Sequence, residues 1–419
     1  MSEASEVRAG RPHRPLPIKA FNAVGRVAQT VGIRPVSLDE DWLLERAIKK
    51  AASADFGDDD FRQGLRRFLA SLQSEANLTL FGRVLAQRCV MENLVNRLRV
   101  VDWRKRHPRV AKEEIVAPLF IVGLPRTGTT ILHALLEQDP SNRSPLFWEV
   151  HYPVPPATPQ TWNSDPRIAQ EQKNLDRFFE LVPGFDAMHP MGALVPQECV
   201  AIFTHCFMSE QLQMQFDVPS YQAWLDEQEM RPTYAFHKQF LQHLQSGGVC
   251  GDRWLLKSPA HLHLLDTLLE TYPDARIIHT HRDPVRVCAS VASLTVTLRG
   301  ASSDAIDPPS IGRQQLDWWA KLVQQSLEQR MRLSDRSEQF FDLKMSELVA
   351  DPLDVVRRLY AHFDYRLTAE TVAKMEAFMR NNPRDKHGSH SYAPEVFGID
   401  PVRDRERFRP YIDHFGLEA

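Results

Sequence analysis

Residues 119–130, LFIVGLPRTGTT, constrain this chain more than any other stretch. The apolar run Leu119–Val122 reads as a buried strand. A Gly-Leu-Pro turn then leads through Arg126, Thr127, Gly128, Thr129 and Thr130 into the helix-like ILHALLEQ. A strand that passes into a helix across such a loop aims several backbone N–H groups at one point, where the helix dipole adds positive potential. Phosphate is the natural guest. The spacing Gly123-x4-Gly128 matches the phosphate loop of nucleotide-binding proteins, but Thr129 stands where an ATPase or GTPase carries Lys, and the loop's cation is Arg126. The loop is therefore expected to hold a nucleotide phosphate without the apparatus for a γ-phosphate.

What surrounds the loop sets the fold class. After Pro118, short apolar runs (RWLLK 253–257, ARIIHTH 275–281, QFFDLK 339–344) alternate with helical stretches at 261–272, 285–298 and 313–333. That alternation predicts a three-layer α/β/α sandwich with a central parallel sheet, like that of P-loop NTPases, with ligands at the carboxyl ends of the strands. Ahead of it, residues 1–17 read as a disordered tail rich in Pro and Arg, and 18–112 as a helical extension. Ser37 with Glu40 resembles a capping box opening a helix at Trp42; a second helix carries Phe61, Leu65 and Phe68, and a third runs from Leu78 to Trp103. The domain boundary is placed at 113, with 113–419 as the catalytic unit. The segment Ile18–Ile33 reads as a weakly amphipathic helix packed on the protein, with peripheral membrane contact left open.

Composition narrows the function classes. A net charge of −3 gives no basic footprint for nucleic acid. Five scattered cysteines without a CxxC pair argue against a disulfide framework or a zinc site and for a reducing cytoplasm. No signal-peptide pattern opens the chain, and no apolar run reaches the roughly 18 residues of a membrane span.

A second strand end, THRDPVRVCASVASL (280–294), offers Arg282 at the strand tip, Asp283 and Pro284 as a helix start, and Ser290 about two turns on, on the same face as Arg286. An Arg and a Ser so placed could grip a second phosphate. On these residues the chain resembles the sulfotransferases that use 3'-phosphoadenosine-5'-phosphosulfate. GLPRTGTT (123–130) is similar to their 5'-phosphosulfate loop, and Arg282 with Ser290 to their 3'-phosphate pair. WLLKSPAH (254–261) resembles a third strand end that presents a Lys. KHGSHSY (386–392) resembles the C-terminal loop of a bacterial branch, whose helical preamble the region around FGDDDFRQGL (56–65) also resembles. The resemblance implies that Arg126, Thr127, Gly128, Thr129 and Thr130 bind the 5' end, that Arg282 and Ser290 bind the 3'-phosphate, and that Lys386, His387 and Gly388 close over it. It implies transfer of a sulfuryl group to a hydroxyl or amine of a small molecule, with no metal. Arg126 departs from the Lys that many members carry in the loop.

Three residues are assigned to chemistry. Lys257 and Arg126 would neutralise charge on the leaving phosphate oxygen. A base must deprotonate the acceptor; Pro259 occupies the place of a catalytic His in some relatives, so Glu198 is preferred, partly desolvated and with a raised pKa. Glu149 and His261 stay open as alternatives. Phe147, Trp148, Phe203, Phe207 and Trp224 are candidates for an apolar acceptor pocket. Two other readings stay open: a P-loop small-molecule kinase using ATP and magnesium, and a non-catalytic nucleotide-binding protein. The acceptor and the oligomeric state are not fixed by the sequence.

Overall fold

The computed structural model describes residues 14–30, 32–183, 185–249, 251–382 and 393–418. Five strands form one wholly parallel sheet: β1 (Leu119–Gly123), β2 (Asn142–Arg143), β3 (Arg253–Lys257), β4 (Arg276–His281) and β5 (Phe340–Lys344). Their order is β2-β3-β1-β4-β5, so the chain leaves β1 toward one edge and later crosses to the other. The carboxyl end of β1 is thus the switch point where such sheets bind ligands. Register aligns the active strand ends: Ile121 lies beside Lys257, and Gly123 beside Thr280.

The strands are continuous apolar runs because both faces are covered. Phe120, Val122 and Ile277 point into one core; Leu119, Ile121, Leu255, Ile278 and Leu343 point into the other. Full burial of Phe120 or Ile121 contributes about 2 kcal/mol each. One core is closed by the helix after the loop, α5 below, and by the helices Pro352–His362 and Ala369–Asn381. The other is continuous with the N-terminal helices, whose Leu43, Phe61, Phe68 and Leu94 share it with Phe120 and Ile277.

Those helices are α1 (Leu16–Thr30), α2 (Glu40–Ala51), α3 (Phe61–Ser74) and α4 (Leu80–Arg106); α5 is Thr129–Leu136. α2 is capped by Asp39, whose carboxylate accepts from the Trp42 amide at 2.9 Å, while Ser37 accepts from the Asp39 amide one step earlier. The anticipated Ser37 cap is corrected to Asp39. Asp60 and Thr79 cap α3 and α4, and α4 ends before His107-Pro108 as its sequence predicts. β2 escapes the sequence reading: two residues carry no periodicity. The helix anticipated over 261–272 shortens to Leu265–Thr271 behind a 3-10 turn at Pro259–His261.

α1 packs on α4, though not in the way an amphipathic helix does. It touches α4 through Asn22 and Gly25, while Leu16, Phe21, Val24 and Val27 face outward. Among the described residues no helix is long and apolar enough to cross a membrane.

Candidate active site

The loop at 123–130 is held from within. Gly123 has φ 150°, and a Cβ there would stand 2.3 Å from the Thr280 hydroxyl, so only glycine lets β1 end this close to β4. Gly128, at φ 85°, sits at the N-cap of α5. The Thr127 hydroxyl is fully buried, 2.7 Å from both the Leu124 carbonyl and the Thr280 hydroxyl. It shapes the loop from within. Arg126 adopts a positive φ of 62° and donates from its guanidinium to the Met188 carbonyl at 2.6 Å. A non-glycine residue in that conformation is strained, and strain of this kind gathers at binding sites.

Three chain-distant residues converge beside the loop. Lys257, at the end of β3 and 4 % exposed, lies 2.9 Å from the Glu198 carboxylate and donates to the Thr130 hydroxyl at 3.2 Å. Glu198 precedes the short helix Cys199–Phe203 as its N-cap. Burial pushes the Glu198 carboxyl up, but the charge of Lys257 and its hydrogen bond outweigh it, so the group sits below the usual glutamate range. The raised value anticipated from its apolar flanks is thereby corrected: a loop sequence shows desolvation but not the cation that another strand brings. His189, absent from the sequence-based candidates, stands half-buried in the field of Glu198, Lys257 and Arg126. Burial, with the two cations, lowers its imidazole against the pull of Glu198, which favours the neutral ring. No local pattern marks it, because Arg126 and Lys257 come from strand ends more than 60 positions away.

The other two base candidates are engaged elsewhere. Glu149 is 1 % exposed, bonded to Arg143 at 2.8 Å and to the Leu146 amide at 3.0 Å, and burial raises its carboxyl despite Arg143. His261 is fully buried among Phe120, Phe203 and Tyr234, 2.6 Å from the Tyr234 hydroxyl, and burial drives its imidazole well below the ordinary range. Ser258 caps the 3-10 turn, accepting from the Ala260 amide.

At the second strand end, Asp283 caps the helix Pro284–Ser302 as expected, accepting from the Val285 amide at 2.9 Å while paired with Arg405. Arg282 donates to the Arg126 carbonyl at 2.7 Å, which ties this end directly to the phosphate loop. Ser290 lies two turns along the helix and is 6 % exposed. Lys386, His387 and Gly388 lie outside the described residues.

The proposed aromatic acceptor wall does not assemble. Phe207 is buried against Phe61, Trp148 lies under Arg167, Phe147 is buried with its edge on His151, and Trp224 packs on Tyr221. Phe203 lines a cavity of about 280 Å³ shared with Glu210, Asp226 and His263. Burial and Asp226 raise the Glu210 carboxyl to about 8. Each of these rings is turned toward a different neighbour by the element that carries it.

Among the described residues one group could geometrically hold a metal ion: His279, His281 and Asp342, on adjacent strands. His281 already bonds Asp342 and Tyr411, and Arg330 donates to Asp342, fastening the C-terminal helix to the sheet, whereas neither ring nitrogen of the buried His279 has a hydrogen-bond partner among the described residues.

Comparison with known proteins shows the family and the fold. The model of the family described as "Sulfotransferase family" matches residues 118–369. The crystal structure of sulfotransferase STF9 from Mycobacterium avium superposes with a TM-score of 0.83 at 31% identity, covering 91% of this chain and 98% of that one. Sulfotransferase STF1 from Mycobacterium tuberculosis gives 0.79 at 32% identity, covering 90% and 100%. Omega-hydroxy-beta-dihydromenaquinone-9 sulfotransferase Stf3, from Mycobacterium bovis and Mycobacterium tuberculosis, is 28% identical over 331 residues, 74% of this chain and 78% of that protein.

Proposed function

The chain belongs to the sulfotransferase family, and from that premise we propose how its residues move a sulfuryl group from 3'-phosphoadenosine-5'-phosphosulfate to an apolar or aromatic alcohol. The observation that carries the reading is Lys257, whose ammonium bridges the Glu198 carboxylate and the loop hydroxyl of Thr130 at 2.9 and 3.2 Å. One cation thus touches both the group suited to take a proton and the loop suited to hold the leaving phosphate.

Arg126, the backbone N–H groups of 127–130 and the start of α5 receive the 5' end; Arg282 and Ser290 receive the 3'-phosphate. Arg282 also steadies the loop through the Arg126 carbonyl, so filling one anion site orders the other. The acceptor oxygen attacks sulfur in line, forming the new O–S bond as the bond from sulfur to the phosphate oxygen breaks. Glu198 takes the acceptor's proton. Lys257 and Arg126 neutralise charge arriving on the phosphate oxygen. When Lys257 swings toward that oxygen, Glu198 loses the charge that lowers its pKa while keeping the burial that raises it. The carboxylate becomes a stronger base at the moment it is needed.

Residues 113–419 form the catalytic unit in this reading, and 18–112 its scaffold. Arg97 of α4, 2 % exposed, bonds the Phe56 and Asp58 carbonyls, Asp60 and the sulfur of Cys206, and so braces the segment that follows Glu198. The free thiols of Cys89, Cys199, Cys206 and Cys288 favour a cytoplasmic setting. An apolar acceptor is favoured by the relative whose name gives a hydroxylated menaquinone as its substrate.

The test is thermal stabilisation by 3'-phosphoadenosine-5'-phosphate in EDTA. Stabilisation by that nucleotide and not by ATP supports the donor assignment; magnesium-dependent stabilisation by ATP alone would revive a kinase. Labelled donor incubated with metabolite extract, followed by mass spectrometry for a gain of one SO₃ group, then identifies the acceptor.

A further inference from the structure

α1 presents its polar and small residues to the protein and its large apolar residues to solvent. The Asn22 side chain accepts from the Phe81 amide at 2.9 Å, and a Cβ on Gly25 would stand 2.4 Å from that of Leu80. That face is built for close approach of two backbones. Leu16, Phe21, Val24 and Val27 are left 78%, 42%, 64% and 67% exposed, and Ile33, just beyond the helix, 58%. Five of the thirteen large apolar side chains exposed among the described residues fall in this short stretch. Scattered exposed apolar residues are ordinary; a run of them on one helix marks a surface that something covers.

Charge identifies what covers it. From residue 7 to 38 the chain has no Asp or Glu but carries Arg8, Arg11, Arg14, Lys19, Arg26 and Arg34, in a protein whose net charge is −3. Arg14 and Arg26 lean on Asp304, whereas no ion pair joins Lys19 or Arg34 to an acid among the described residues. A second copy meeting this face about a two-fold axis would set cation against cation. An anionic lipid headgroup layer offers the opposite charge above an apolar interior, which is the surface that a cationic amphipathic helix lies on without spanning.

We propose that α1 is a docking helix for an anionic membrane surface, with Leu16, Phe21, Val24 and Val27 dipping among the acyl chains and Lys19 and Arg34 meeting headgroups. Arg14 fixes it to the far end of the helix Pro284–Ser302, bonding the Gly300 and Ser303 carbonyls. That helix has 19 residues, so α1 lies roughly 28 Å from Arg282. Docking therefore tethers the enzyme to the bilayer without lining the nucleotide site. The inference rests on α1 alone; joined to the transfer reading, it places the enzyme where an apolar alcohol dissolves.

The experiment is flotation of the full chain with vesicles of phosphatidylcholine alone or mixed with phosphatidylglycerol. The protein is expected to float only with the anionic vesicles, and less as salt is raised. Replacing both Phe21→Asp and Val24→Asp should weaken partition at least about tenfold, and Lys19→Glu, a change of two charge units, about thirtyfold. Stabilisation by 3'-phosphoadenosine-5'-phosphate should be unchanged in both variants, which shows that they fold. Absence of partition, partition indifferent to salt, or partition untouched by the substitutions overturns the proposal. So does a dimer that the double substitution dissolves without any vesicle binding, because a second copy then covers the helix. Vesicle binding without nucleotide stabilisation would count against the transfer reading and leave the docking helix standing.

Discussion

Glu198 and Glu149 each face a cation at almost the same distance, 2.9 Å to Lys257 and 2.8 Å to Arg143. Their surroundings separate them. Glu149 is almost wholly enclosed, bonded also by the Leu146 amide, and held by a guanidinium that itself lies over Trp162 and Trp254. Glu198 keeps 17% of its side chain exposed, and its partner is a flexible ammonium that also reaches the phosphate loop. A planar guanidinium held by two rings fixes geometry, whereas an ammonium on a four-carbon stem can move to a new anion. The pairs teach that an ion pair becomes chemistry where one partner is free to leave it. Burial wins at Glu149 and raises its carboxyl; the cation wins at Glu198 and lowers it.

The substitutions Glu198→Gln and Glu149→Gln should break the two pairs in opposite ways. The first is expected to slow turnover roughly 10²–10⁴-fold, the range of a positioned base, with nucleotide affinity nearly unchanged and some stability lost because Lys257 is left buried without its carboxylate. The second should cost about 3 kcal/mol of stability, because Arg143 is left buried beside an uncharged amide, while turnover per folded molecule holds. Denaturant melts beside single-turnover assays separate them. Normal turnover in the Glu198 variant would pass the role to His189, whose substitution by Gln is the next measurement.

Lys257→Met should lower turnover by about 10²–10³-fold, the size of a lost charge stabiliser. Arg282→Ala acts on binding instead: preference for the 3'-phosphorylated nucleotide over adenosine phosphosulfate should fall about tenfold or more with the loss of a charge-assisted contact. Competitive titration reads it, and retained selectivity would empty that half of the site map.

The smallest effect sharpens the comparison through pH. Because the folded pKa of Glu198 is depressed, the acid limb of kcat/KM should fall below the ordinary glutamate range, with activity lost as pH drops through that lowered value. In the Lys257→Met variant burial acts unopposed, and the limb should move to higher pH. Stability follows the same signs. Glu198 contributes stability present above its unfolded pKa and lost as pH falls through its folded one. Glu149, raised on folding, contributes stability present at low pH and lost as pH rises through its folded pKa. Denaturant midpoints across pH check both directions.

Local physics made much of this legible. The strand–loop–helix at 119–130 and the cap at Asp283-Pro284 depend on residues a few positions apart, so pattern and capping chemistry were enough. The alternating elements after Pro118 gave the sheet its class, although β2, two residues long, left no signal. The acceptor wall failed because rings from separate segments, 147–148, 203–207 and 224, face different neighbours, and aromatic content alone does not give facing. The α1 segment showed apolar residues but not the direction they face.

Sequence alone determined the phosphate loop, the parallel α/β architecture and the nature of the groups offered at each strand end, because these follow from backbone geometry and near neighbours. Tertiary structure decided which groups meet. Lys257 and Glu198 are 59 positions apart, and only the register of β3 beside β1 brings that ammonium to both the carboxylate and the loop. The direction of the Glu198 pKa shift, the enclosure of Glu149 and the outward face of α1 were settled there too, since burial and electrostatic fields depend on distance in space and not along the chain.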